Sequence, residues 1–263
     1  MNVSAVQEFL LAFADDEHLM GQQHTEWIGV APFLEEDLAF SSIAQDELGH
    51  AALLYGLVLE LDGIEPSDTA IDDLAFARPG QEYRSCHLAE RTTSQWSEAL
   101  VRHWVYDTFE ELRWGLLSES TLPALAAVTT RALREEAFHR RHADALLDEL
   151  LQVPEARPRI AEALNRIAAL IPGLCEPTAG EVAAIAAGVA ADSTAGLLAP
   201  LTEALGARFG GHVDTGRVEA ALSEAGQKAT GQGSAGRTRR SKSFQPLMTR
   251  MREVLDYDPS AVW

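Results

Sequence analysis

The sequence predicts an all-α fold: four long helices packed as a bundle, with additional C-terminal helices after them. Three observations carry that expectation. The 263 residues are rich in Ala and Leu and poor in β-branched runs, which favours helix over sheet. Four long stretches read as helices bounded by Pro- or Gly-containing breakers. Inside two of them one pattern repeats, an acid, then Glu, two spacers and His: Asp46-Glu47-Leu48-Gly49-His50 and Glu135-Glu136-Ala137-Phe138-His139.

The first helix covers residues 4–29, with Val6, Phe9, Leu10, Phe13, Leu19 and Met20 at helical spacing, and Ala31-Pro32 breaks it. The second runs over residues 33–61 and stops at Asp62-Gly63, a C-cap pair. Residues 65–80 hold Pro66, Pro79 and several aspartates and read mostly as loop. A third helix spans residues 85–117, and Thr121-Leu122-Pro123 opens a fourth that continues to residue 151. At 1.5 Å per residue the longest is about 45 Å, enough for a sizeable bundle. Beyond it, Pro154, Pro158, Pro172 and Pro177 punctuate shorter helices, and the Ala-rich residues 181–190 read as a packed helix. Residues 226–236 read as a flexible Gly/Ser/Ala-rich loop leading to a basic cluster, Arg237, Arg239, Arg240 and Lys242. A last amphipathic helix, residues 244–255, precedes the terminus. The expectation is one domain over residues 1–263, with the core bundle at about 4–151 and a helical extension at about 155–263. No tandem repeat of 20–50 residues is present, but the doubled motif suggests that helices one and two mirror helices three and four.

A formal net charge of −19 argues against unaided binding to nucleic acid or an anionic membrane, since both partners are themselves negative. Cys86 and Cys175, far apart and outside any CxxC, make neither a disulfide framework nor a zinc site. No positively charged signal region opens the chain, and no apolar run approaches the roughly 20 residues of a membrane span. A cytoplasmic protein with reduced thiols is expected.

On a helix, residues three apart point the same way, so each Glu-x-x-His offers two ligands on one face. Ile43, Ala44, Leu48, Ala51, Ala52 and Leu54 surround the first copy. Burying Glu and His there without a partner would cost several kcal/mol, and a metal ion is the economical partner. Two such helices face to face, with one carboxylate from each of two further helices, make the dinuclear site of a ferritin-like four-helix bundle. Glu17 stands 30 residues before Glu47 and Asp107 stands 29 before Glu136, matching separations that single them out. Glu26 competes with Glu17, and Glu110 and Glu111 compete with Asp107. Hard oxygens with imidazole and no thiolate suit iron or manganese. Asp46 and Glu135 are placed to accept the outer N–H of the opposite helix's histidine. His18, His24, His87, His103, His142 and His212 lack a paired pattern and read as surface or satisfied core residues, with His18 and His142 near enough to the ligands to support them.

The run Ala31-Pro32-Phe33-Leu34-Glu35-Glu36-Asp37-Leu38-Ala39, then Ile43-Ala44-Gln45-Asp46-Glu47-Leu48-Gly49-His50-Ala51 and Tyr55, resembles the PaaA/PaaC family of phenylacetyl-CoA ring epoxidase subunits. Glu135-Glu136-Ala137-Phe138-His139 fits the same family. The length, residues 244–251 and the closing Asp258-Pro259-Ser260-Ala261-Val262-Trp263 resemble its C-type chains. The segment Arg239-Arg240-Ser241-Lys242-Ser243 departs from the Gly-x-His-Thr type usual there.

The resemblance implies that A-type chains carry a di-iron centre and bind the acyl-CoA thioester. C-type chains are related ferritin-like proteins that pair with them and can lack metal. By position, the A-type ligands fall on Glu17, Glu47, His50, Asp107, Glu136 and His139, all ligand-competent. The implied function is a subunit of a multicomponent di-iron monooxygenase that epoxidises the aromatic ring of phenylacetyl-CoA in phenylacetate catabolism. Its cofactor would be two iron ions, with manganese as the other candidate. Its partners would be a related catalytic oxygenase subunit, a reductase and, as a further candidate, a second copy of the chain. The alternative is a metal-free structural subunit whose carboxylates pair with Arg134, Arg140 and Arg141. A lone iron-storage bundle is a third reading, and nothing in the loops suggests the shell it needs. The basic cluster could meet a CoA phosphate or an acidic partner, or stay a mobile loop.

Overall fold

Four helices with largely apolar inward faces supply the frame: α1 Val3–Thr25, α2 Leu34–Leu61, α4 Trp96–Gly115 and α5 Pro123–Gln152. The short α3, Asp68–Asp72, and a π-helical turn, Asp73–Ala77, lie in the connection between α2 and α4. After the bundle come α6 Arg157–Ile167, α7 Glu181–Ala186, α8 Leu198–Phe209, α9 Gly216–Lys228, α10 Phe244–Met251 and α11 Glu253–Tyr257. This computed structural model describes residues 2–228 and 236–257, and no strand occurs among them. Most of the Gly/Ser/Ala-rich loop and the closing residues 258–263 lie outside the described residues.

Side-chain contacts fix the helix directions. Across α1 and α2, Glu17 meets His50 and His24 meets Glu47. Across α2 and α5, Asp46 meets His139 and His50 meets Glu135. Across α1 and α4, Arg113 meets Asp16, while the His24 and His103 rings abut. Each of these pairs is antiparallel, so α2 and α4 run parallel. The long stretch 62–95 is the crossover that such an arrangement requires. The fold is a ferritin-like all-α bundle with C-terminal helices added.

The sequence boundaries hold at the C-terminus of α2. There Gly63 takes φ +73° and the N–H of Ile64 donates to Leu59 O at 3.0 Å, a Schellman cap. They fail at the third helix, which begins at Trp96 rather than residue 85. The N–H of Arg84 donates to Asp15 Oδ2 (2.6 Å) and that of Cys86 to Asp16 Oδ1 (2.7 Å). Two buried α1 carboxylates thus hold those amides in an extended turn instead of a helix. The 65–80 stretch also carries more helix than its prolines and aspartates suggest, because Ser67 caps α3. The last amphipathic helix is broken at Arg252 into α10 and α11.

The C-terminal helices share a core with α4. Trp104, Val105 and Phe109 pack with Ile160, Leu164, Leu201, Phe209 and Phe244. α7 meets α1 closely enough that a Cβ at Gly180 would lie 1.8 Å from Ala5 O, so only glycine fits there. The basic cluster is half internal. Arg237 is buried and donates to Asp16 Oδ2 (2.9 Å), Glu176 O (3.1 Å) and Leu174 O (3.1 Å). Arg240 reaches Glu90 and Ser85 at 2.5 Å each. These two arginines tie the C-terminal segment to the bundle instead of forming a mobile basic loop. No helix among the described residues is long and apolar enough to cross a membrane.

Candidate metal centre

Glu17, Glu47, His50, Asp107, Glu136 and His139 all lie in the bundle interior at 0–1 % exposure. Helix periodicity puts Glu47 and His50 on one face of α2, and Glu136 and His139 on one face of α5. Donor atoms of Glu17, His50 and Glu136 come within 4.8 Å of one another, as do those of Asp107, Glu136 and His139. Glu136 belongs to both groups, as a bridging carboxylate between two cations would. Glu47 stands slightly apart, its Oε2 held 2.7 Å from His24 Nδ1.

The two histidines are oriented by crossed contacts. His50 Nε2 lies 2.7 Å from Glu135 Oε2 of α5, and His139 Nε2 lies 3.2 Å from Asp46 Oδ2 of α2. Each outer nitrogen thus faces the acid that precedes the opposite Glu-x-x-His. Each Nδ1 then points into the cluster: His50 Nδ1 is 3.2 Å from Glu17 and 3.6 Å from Glu136, and His139 Nδ1 is 3.6 Å from Glu136. An outer carboxylate of this kind fixes tautomer and ring angle and raises the basicity of the inner nitrogen.

Burying this many carboxylates together has an electrostatic cost. Burial pushes Glu17 and Asp107 up to about 7 against the pull of nearby cationic groups, and burial with neighbouring carboxylates raises Glu47 and Glu110 well above the carboxylate range. Burial opposes a charge on His139, but the Asp46 and Glu136 carboxylates outweigh it and raise its pKa. Both oxygens of Glu136 and of Asp107, Glu47 Oε1 and His139 Nδ1 are buried without a hydrogen-bond partner. Buried polar atoms are ordinarily paired. So many orphaned acceptors converging on one volume fit a set of cations, and the oxygen-imidazole donor set fits iron or manganese.

Several residues at the centre escaped the sequence reading. Arg113 of α4 is fully enclosed and pairs with Asp16 (2.9 Å), Glu17 (3.5 Å) and Glu110. It, rather than Arg134, Arg140 or Arg141, is the cation that meets the cluster; Arg140 is engaged with Glu111 (2.5 Å) and Asp144. His24 and His103 are fully buried and carry unpartnered ring nitrogens, so they are not satisfied core residues. His18 is likewise buried with neither nitrogen bonded, and desolvation lowers its pKa to about 4. His142 lies 3.2 Å from Glu36 near the surface, and Glu26 faces Arg250 away from the centre. None of these groups sits in a repeated ligand motif; His24 and Arg113 lie in the last turns of α1 and α4, and placement on a helix with apolar neighbours was the one available signal.

Residues 2–263 match the phenylacetic acid catabolic protein family. The chain belongs to that family. A curated relative, the C-type subunit of the 1,2-phenylacetyl-CoA epoxidase of Escherichia coli (strain K12), is 28 % identical over 185 residues. That alignment covers 70 % of this chain and 73 % of the relative. As a phenylacetic acid catabolic protein, the chain therefore combines a likeness to a C-type subunit with six buried, ligand-competent side chains in its bundle.

Proposed function

We propose that this chain is a C-type subunit of a multicomponent phenylacetyl-CoA epoxidase of phenylacetate catabolism, and that Glu17, Glu47, His50, Asp107, Glu136 and His139 hold two iron ions, with manganese accepted by the same donors. The reading includes a cytoplasmic setting, where buried Cys86 and Cys175 stay reduced thiols, and assembly with a related oxygenase subunit and a reductase. The observation that carries it is the crossed pairing of His50 with Glu135 and His139 with Asp46, which turns both Nδ1 atoms toward the shared Glu136.

Bound iron would supply electron exchange and oxygen activation. The chain's own part is to present Glu136 between two His-carboxylate groups, to keep water out through the surrounding apolar helices, and to let Asp46 and Glu135 fix the imidazoles. Arg113 supports a second reading. Its charge already offsets part of Glu17 and Glu110, which suits a metal-free bracing subunit.

Bound iron per chain, measured after expression with iron supplied, separates the two. The iron-loaded reading expects about two irons at the pair site and their loss in Glu136→Ala. A folded helical parent that binds no metal would leave the bracing role.

A further inference from the structure

Beside the proposed pair lies a second group of donors that the two-metal reading does not use. His24 of α1, Glu47 of α2 and His103 of α4 bring ligand atoms within 4.8 Å of one another, and all three side chains are buried. The two rings meet edge to face with centroids 5.0 Å apart. His24 Nδ1 touches Glu47 Oε2 at 2.7 Å, and His103 Nδ1 comes within 3.1 Å of Asp107 Oδ2. Yet His24 Nε2, both His103 nitrogens and Glu47 Oε1 make no hydrogen bond. Apolar packing alone would not place two polar rings and a free carboxylate oxygen here, because unpaired polar groups are costly in a dry interior. Phe40 closes the cluster on one side, its ring 4.9 Å from His24 and 5.1 Å from His103. Beyond it His142, partly exposed and 3.2 Å from Glu36, connects the cluster to the surface.

We infer that His24, Glu47 and His103 form a third cation position, adjoining the proposed pair and sharing Glu47 with it. Two imidazoles and one carboxylate select a borderline divalent d-block ion, such as zinc, cobalt or ferrous iron, over magnesium or calcium. Asp107, in contact with His103, stands ready to supply a fourth ligand, an oxygen. The inference rests on the pair site only through the sharing of Glu47, so the two can fail separately.

Cobalt(II) alone, titrated into the metal-free full-length chain with bound metal counted after gel filtration, provides the test. The parent is expected to retain about three ions per chain. His24→Ala/His103→Ala should retain about two, and Glu136→Ala about one. Circular dichroism checks that each variant stays helical, and His24→Gln/His103→Gln, which preserves bulk and polarity, replaces the alanine pair if that pair unfolds. A histidine variant that binds as many cobalt ions as the parent overturns the third position. A Glu136→Ala protein that matches the parent, while the histidine variant still loses one ion, would instead defeat the pair site and leave this inference standing.

Discussion

At the Glu17 end of the carboxylate cluster the compensating charge is built in. Arg113 reaches Asp16, Glu17 and Glu110 from α4 and cannot leave. Beside Glu47 it is not. The ligand-type nitrogens gathered there are those of His24 and His103, whose pKa values burial and neighbouring cationic groups hold well below the ordinary value, so both rings are neutral. Both ends carry buried acids, and the crossed His50–Glu135 and His139–Asp46 contacts between α2 and α5 are reciprocal. An exogenous cation therefore has most to gain beside Glu47. A fixed guanidinium discounts the attraction at one end, while neutral imidazoles add ligands without adding repulsion at the other.

The strongest way to break this asymmetry is to remove the fixed charge. Arg113→Ala leaves Asp16, Glu17 and Glu110 buried with less compensation, and a broken buried pair of this kind costs about 3–5 kcal/mol. Urea denaturation of the metal-free protein should show that loss, and added iron or manganese should return part of it. An unchanged midpoint would mean that Arg113 does not balance the cluster.

Next in size is the penalty that Glu17 itself carries. Its folded-state pKa of about 7 lies above the ordinary 4.5, so between those values the native state binds more protons than the unfolded one. Ionised Glu17 therefore costs the metal-free fold its full penalty above about pH 7, and the penalty fades as pH falls toward 4.5. Glu17→Gln should be more stable than the parent at about pH 8, by as much as about 3 kcal/mol at 1.36 kcal/mol per pKa unit. The gap should close in acid. The buried histidines pull the other way below about pH 6.5, but they are common to both proteins and cancel in the difference. A gap that stays constant across this range would contradict the raised pKa.

The smallest expected effect lies in the outer acids of the two histidines. Asp46→Asn and Glu135→Gln each replace the outer carboxylate of one histidine with a neutral amide, and such losses typically weaken metal binding 10–100-fold. Competition with a chelator would read this directly. Glu135→Gln should act through His50 at the Glu17 end, and Asp46→Asn through His139 at the Asp107 end. If neither variant changes metal affinity, the crossed contacts are packing and no more.

Much of this is legible in the sequence alone. A three-residue spacing on a helix is a geometric statement, so the doubled acid-Glu-x-x-His placed Glu47, His50, Glu136 and His139 on inward faces and foretold the crossing of Asp46 and Glu135 to opposite histidines. The C-cap at Gly63 and the Pro123 start of α5 follow from backbone rules equally local. Glu17 and Asp107 needed matched separations and a family resemblance, because a single acid on a helix has no partner in sequence. For the same reason Glu110 could be offered only as a rival to Asp107, His24 and His103 read as surface or satisfied core residues, and Arg113 carried no motif at all. Each becomes meaningful only when a residue far along the chain is brought within a few ångströms. The late start of α4 and the burial of Arg237 belong with them, since both depend on Asp15 and Asp16 of α1 competing for amides and a guanidinium in distant segments. Periodicity along one helix reports which face is inward, whereas the charge balance of the interior is set between helices, and that balance exists only once they have packed.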